Sequence, residues 1–205
     1  MKLTTTDIRR YYGEKKEAQI LSVPLFKYIT LVGAGDPNQK DFAQAMEAMY
    51  TLTYAIKMSY KKDNPPQGYY AYKVFPLEGE WDLVDKTKAI SDKSNYAYKL
   101  MIQQPDFVDE DLFHQFLEVV KKKKDNPKLS LLKYEEICDG LCCQMLHVGP
   151  YDDEPESFAK MMQYCEEQGY SRSSKLHKEI YLSDPRKCAP EKLKTLLRFK
   201  VEKSQ

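Results

Sequence analysis

The chain has 205 residues, 42% of them hydrophobic and 31% charged, enough for one well-filled soluble domain or two small ones. Lys plus Arg number 32 against 31 Asp plus Glu, so no net field draws the chain to nucleic acid or to an anionic membrane. No apolar run approaches the roughly 20 residues that span a bilayer, and Met1–Asp7 lacks the apolar core of a signal peptide, so a cytoplasmic location is expected.

The first 24 residues are polar and charged and read as a loosely docked arm before one domain over 25–205. Leu25–Gly33 is apolar and β-branched and predicts a buried strand. Gly33-Ala34-Gly35-Asp36-Pro37-Asn38 predicts a turn. It lacks the third glycine of a nucleotide-binding loop, because Asn38 stands there. Over Lys40–Lys61, Phe42, Met46, Met49, Tyr50, Thr53 and Ile56 recur at three- and four-residue steps, an amphipathic helix. Asp63–Gly68 breaks the chain. Tyr69–Leu77 then reads as a strand, with Tyr96–Gln103 as its hairpin partner, and Glu78–Asp82 puts Trp81 on a loop or strand end.

Asp109–Lys124 predicts a second helix with Leu112, Phe113, Phe116, Leu117 and Val120 inward. Its lysine tail complements the negative end of the helix dipole, and Asp125-Asn126-Pro127 ends it. Cys142–Val148 predicts a strand, Gly149–Asp153 a turn, and Pro155–Gln168 a helix with Phe158, Met161, Met162 and Cys165 facing inward. Strands at 177–182 and Leu193–Val201 close the chain. The halves match. A turn glycine precedes the first helix aromatic by nine residues in each (33 to 42, 149 to 158), and Tyr72–Phe75 aligns with Lys178–Tyr181, which sets Lys73 against Glu179. The expected fold is α+β: two β-α-β-β repeats (about 25–125 and 140–203) sharing an antiparallel sheet, with helices on one side and a central cleft on the other.

His177-Lys178-Glu179-Ile180-Tyr181-Leu182 carries the sharpest chemical signal. Alternate side chains of a strand point to opposite faces. His177, Glu179 and Tyr181 therefore share one face, opposite the apolar anchor of Ile180 and Leu182. An acid, a phenol and an imidazole on one face suit a pocket wall. The 16 tyrosines suit aromatic pocket walls too. Five cysteines without a secretion signal argue against a disulfide framework, and with three histidines none of them has zinc-site spacing. No metal or cofactor is expected. His147, between a strand and Gly149, is either a structural hydrogen-bonding residue or part of the ligand wall.

Four stretches taken together resemble the GyrI-like small-molecule-binding family: LVGAGDPN at Leu31–Asn38, PLEGEW at Pro76–Trp81, QMLHVGPY at Gln144–Tyr151 and HKEIYLSDP at His177–Pro185. The resemblance implies the tandem fold with a central cleft, and a cleft glutamate at Glu179 that meets cationic or polar aromatic ligands. Some members are effector domains of multidrug-sensing transcription regulators. Others stand alone, and a subset hydrolyses the cyclopropane ring of cyclopropanoid DNA alkylators. Too few residues precede the first strand for a helix-turn-helix domain, so a stand-alone protein is expected. Where members often carry Trp-Trp after the Glu-Gly pair, this chain has Trp81-Asp82.

Two functions follow. In the first, the protein is a hydrolase: Glu179 is general base, Tyr181, or Tyr98, stabilises charge on the conjugated carbonyl, and Trp81 and Tyr72 stack on the planar ligand. In the second, the same cleft binds a hydrophobic or cationic aromatic molecule without turning it over, with His147 and His177 among the wall residues. A protein-interaction module is a third reading. None involves direct nucleic-acid or membrane binding, and the oligomeric state is open.

Overall fold

The computed structural model describes residues 3–61, 65–89 and 91–204. The break at Asp63-Asn64 lies outside them. Among the described residues seven strands and four α-helices follow in the order α1 (Thr5–Tyr12), β1 (Gln19–Ala34), α2 (Lys40–Lys57), β2 (Leu77–Leu83), β3 (Tyr96–Gln104), α3 (Glu110–Lys121), β4 (Lys133–Val148), α4 (Glu154–Glu167), β5 (Tyr170–Arg172), β6 (His177–Tyr181) and β7 (Lys194–Lys203). The strands hydrogen-bond in the order β4-β1-β3-β2-β6-β7-β5, and β4 also pairs with β7. No described helix is long and apolar enough to cross a membrane.

Contacts divide the chain into two compact units. The first comprises Phe26–Phe75 and Trp81–Ile137; the second comprises Leu3–Leu25, Pro76–Glu80 and the chain from Cys138 onward. In the first unit β1 and β3 run antiparallel, with Ile29 opposite Ile102, Leu31 opposite Leu100 and Gly33 opposite Tyr98. Phe42, Met49, Leu52 and Ile56 of α2 are buried. In the second, β4, β6 and β5 each pair antiparallel with β7. Cys143, Met145, Leu197, Phe199 and Val201 of the strands pack with Met161 and Cys165 of α4.

Five expectations change. Residues 5–12 are not a loose arm. Thr4 and Asp7 form a reciprocal capping box, with the Asp7 amide donating to Thr4 Oγ1 at 3.2 Å, and Tyr11 and Tyr12 are buried. β1 starts at Gln19, ahead of the expected Leu25, and passes through Pro24. Tyr69–Pro76 forms no strand. Its tyrosines instead pack against Phe107, with ring centroids 5.3–6.0 Å away, and donate hydrogen bonds to the Lys57 carbonyl and to Asp106 Oδ1. The strand is Leu77–Leu83, so Trp81 stands on a strand and Lys73 has no strand position matching Glu179. Met162 is 40% exposed, because the buried stripe of α4 runs through Ser157, Met161 and Cys165. Gly33 also belongs to β1 and not to the turn. The Tyr98 ring lies where its Cβ would stand, 2.5 Å away.

Candidate functional site

β6 alternates as its sequence requires, with Lys178 and Ile180 buried and His177, Glu179 and Tyr181 on the other face. Glu179 pairs across the ladder with Leu197, and Leu197 packs with Met161 and Cys165 of α4. Glu179 therefore lies on the face that α4 covers.

Both Glu179 oxygens are engaged by side chains of its own strand. His177 Nε2 lies 3.1 Å from Oε1, and the Tyr181 hydroxyl donates to Oε2 at 2.8 Å. A further partner comes from another element. Glu154 opens α4, is 6% exposed, and hydrogen-bonds Glu179 through its carboxyl group. Its buried Oε1 finds no donor among the described residues, as suits a carboxyl group that supplies the proton itself. Burial, and then the charge of Glu179, push Glu154 up to about 9. At neutral pH it keeps its proton. Tyr151, just ahead of α4, meets Tyr181 edge-on at 6.0 Å. Burial and the two glutamates push its phenol up to about 12, so it stays a donor. Phe158 packs edge-to-face on His177 at 4.7 Å.

Of the residues singled out from sequence, the structure brings His177, Glu179 and Tyr181 together. Trp81 and Tyr98 belong to the first unit, where both pack against Phe42 at 5.8 and 5.0 Å. Tyr98 is 3% exposed there, with burial holding its phenol above the ordinary range. Tyr72 sits in the Tyr69–Tyr70–Phe107 cluster of that unit, its hydroxyl buried without a hydrogen-bond partner among the described residues. His147 is buried with both ring nitrogens bonded inside the second unit, Nδ1 to Ser157 Oγ at 2.9 Å and Nε2 to the Pro150 carbonyl at 3.0 Å. That occupancy leaves no ring nitrogen for a ligand. Sequence reasoning does not find Glu154 and Tyr151. Acids at the start of a helix are ordinary dipole partners, and only their register against β6 distinguishes these two.

The reverse face of β6 is charged and buried. Lys178 Nζ lies 2.8 Å from Asp139 Oδ2 and 3.2 Å from Glu78 Oε2. Arg198 reaches Asp139 Oδ2 at 3.3 Å, Gln144 Oε1 at 2.9 Å and the Tyr11 carbonyl at 2.6 Å. The Tyr12 hydroxyl donates to Glu78 Oε1 at 2.9 Å. Burial opposes the charge on Asp139, but Lys178 and Arg198 hold its carboxyl below the usual range. This cluster is why the acidic, glycine-containing LEGEWDL forms a strand: cationic and phenolic donors meet Glu78 inside. Gly140, at φ +69°, makes a bulge in β4 that puts Asp139 on the same buried face as Cys142 and Gln144, against strict alternation.

Comparison with known proteins places these observations. The sequence profile of the GyrI-like small molecule binding domain matches residues 16–202. The chain belongs to the GyrI-like small-molecule-binding family. Two solved structures from Listeria innocua are similar over nearly the whole length. One is an uncharacterized conserved protein, 35% identical, covering 96% of this chain and 98% of that one with a TM-score of 0.89. The other is a hydrolase, 34% identical, covering 96% and 98% with a TM-score of 0.87. The EcmrR C-terminal domain shares the fold at 16% identity, covering 91% and 98% with a TM-score of 0.52. Among curated proteins, none matches in sequence. The family assignment makes the chain a small-molecule binding domain.

Proposed function

We propose that this GyrI-like protein is a hydrolase that adds water to strained, electrophilic aromatic molecules, the substrate class being cyclopropanoid DNA alkylators. The observation that carries this reading is the Glu154–Glu179 pair, in which a buried carboxyl group held protonated by burial and by its neighbour stands against a second carboxyl group on β6. A neutral partner of this kind leaves the second carboxyl group free to take the base role. The 34% identical Listeria hydrolase agrees with a reaction of this class.

Glu179 is the general base. A water in hydrogen-bond reach of it attacks the cyclopropyl carbon. A carbon–oxygen bond forms as one ring carbon–carbon bond breaks, and the released electron pair moves through the conjugated system onto the carbonyl oxygen. The water gives its proton to Glu179, and the oxygen, now a phenolate, takes up one proton through solvent as Glu179 releases the one it gained, so that one water is added and the base is restored. The neutral Glu154 carboxyl supports Glu179 by hydrogen bond and keeps a second negative charge out of the site. The Tyr151 and Tyr181 phenols are the donors for developing oxyanion charge, and Phe158 and Tyr151 supply apolar ring faces. To receive water, Glu179 must exchange at least one of its strand-mates, His177 or Tyr181, for it.

The test is turnover of a cyclopropanoid alkylator, followed by mass, with wild type, Glu179→Gln and Glu154→Gln. Gain of one water by wild type and its loss in Glu179→Gln supports the reading. Equal turnover by both removes Glu179 from the chemistry. A ligand that binds wild type and returns unchanged makes the protein a non-catalytic drug binder, with the anionic Glu179 as its cation partner.

A further inference from the structure

The HVGPY stretch, His147–Tyr151, leads directly into α4, and its histidine has no part in the chemistry above. We propose that His147 is the positioning residue of the carboxylate pair: it pins the segment Pro150–Ser157 at both ends and so fixes Glu154 and Tyr151 against β6. The inference deepens the proposed function, and its test is independent of turnover.

At the end of β4, Gly149, at φ +142°, swings the chain off the strand through a conformation that side chains disfavour. The next turn and the first turn of α4 carry Tyr151 and Glu154. Locally the helix start has Pro155 in its first turn and the Asp153 amide donating to the Pro150 carbonyl at 3.0 Å, but the side chain of its N-cap residue, Asp153, makes no capping hydrogen bond to the described residues. Helix starts ordinarily take such a bond from the cap side chain. Here the fixed point is His147, 5% exposed on β4 opposite Thr195.

Its two bonds have defined directions. The Pro150 carbonyl can only accept, so Nε2 carries the hydrogen and donates at 3.0 Å. In the neutral ring Nδ1 accepts from the Ser157 hydroxyl at 2.9 Å, and Ser157 is itself buried. One rigid ring thus joins the first and last residues of the segment to the strand. Between them, Glu154 is held against Glu179, where like charges would otherwise drive the helix start away from β6.

The test reads the unfolding equilibrium of the ligand-free protein from pH 6 to 8. A proton held only by the folded state raises the wild-type unfolding constant about tenfold per pH unit over this range. His147→Leu removes both bonds, Ser157→Ala one of them, and His147→Gln keeps a donor toward Pro150. We expect the pH slope to vanish in His147→Leu, to shrink in Ser157→Ala and to be largely retained in His147→Gln. A merely structural residue would lower stability at every pH and leave the slope alone. Wild-type slopes in His147→Leu and Ser157→Ala overturn the proposal. If His147→Leu does not fold, Ser157→Ala decides alone, a shrunken slope supporting the proposal and a wild-type slope ending it. Failure of the hydrolase reading would show as absent turnover in wild type with these slopes intact.

Discussion

Glu154→Gln tests the site without any ligand. The side chain keeps its shape and loses its charge. In the folded protein Glu154 is raised from its ordinary 4.5 to about 9 by burial and by Glu179. Between those values the folded state holds one proton that the unfolded state releases. Wild-type stability is therefore fully present below about pH 4.5 and is lost as pH rises toward 9. From pH 6 to pH 8 the wild type should lose about 3 kcal/mol relative to Glu154→Gln, roughly 6–12 °C in melting temperature for a chain of this size. Urea unfolding at pH 6, 7 and 8, followed by Trp81 fluorescence and circular dichroism, gives both curves. Because burial is the larger cause and Glu179 the second, Glu179→Gln should reduce the slope less than Glu154→Gln does. Parallel wild-type and Glu154→Gln curves would refute the proton held by Glu154, and with it the base role left to Glu179.

Three further outcomes follow. Lys178→Met removes the cation that Glu78 and Asp139 share, leaving both carboxylates buried, and should cost about 3–5 kcal/mol in a denaturant titration; a loss under about 1 kcal/mol would mean that water reaches the cluster. Gly33→Ala drives a methyl group into the Tyr98 ring and should cost about 1–3 kcal/mol, with part of it recovered in the double variant Gly33→Ala/Tyr98→Leu; strictly additive losses would disprove the contact. In the folded protein a thiol reagent should modify Cys138 and Cys188 quickly and Cys142, Cys143 and Cys165 only on unfolding, because the latter three are buried and burial raises all three thiols; rapid reaction of all five would show that the core opens.

Local periodicity sets the parts of the fold that are legible in the chain. α2 and α3 show a stripe at helical spacing, and the acidic face of β6 follows from two-residue alternation, so His177, Glu179 and Tyr181 group together on sequence pattern alone. The repeat of strand, glycine turn and aromatic-led helix points to the α+β architecture. The rest depends on partners remote in sequence. Tyr69–Pro76 has strand-forming residues but is held out of a strand by Phe107, Lys57 and Asp106. Glu78–Asp82 reads as a loop or a strand end and lies within the strand Leu77–Leu83, where Lys178 and Tyr12 meet Glu78 inside. Tyr11 and Tyr12 look like part of a solvated arm until Arg198 reaches the Tyr11 carbonyl.

The site divides in the same way. Sequence alone determined that a glutamate, a phenol and an imidazole share a strand face, since the pleat imposes that on any strand. Only the tertiary structure decided that a second glutamate, 25 residues earlier by position (154 to 179), would stand against the first. That juxtaposition depends on where α4 begins, which His147 and Ser157 set across the fold. Burial then turns an ordinary first-turn acid into a proton donor, because desolvation and a neighbouring carboxylate act only once the chain has folded around them.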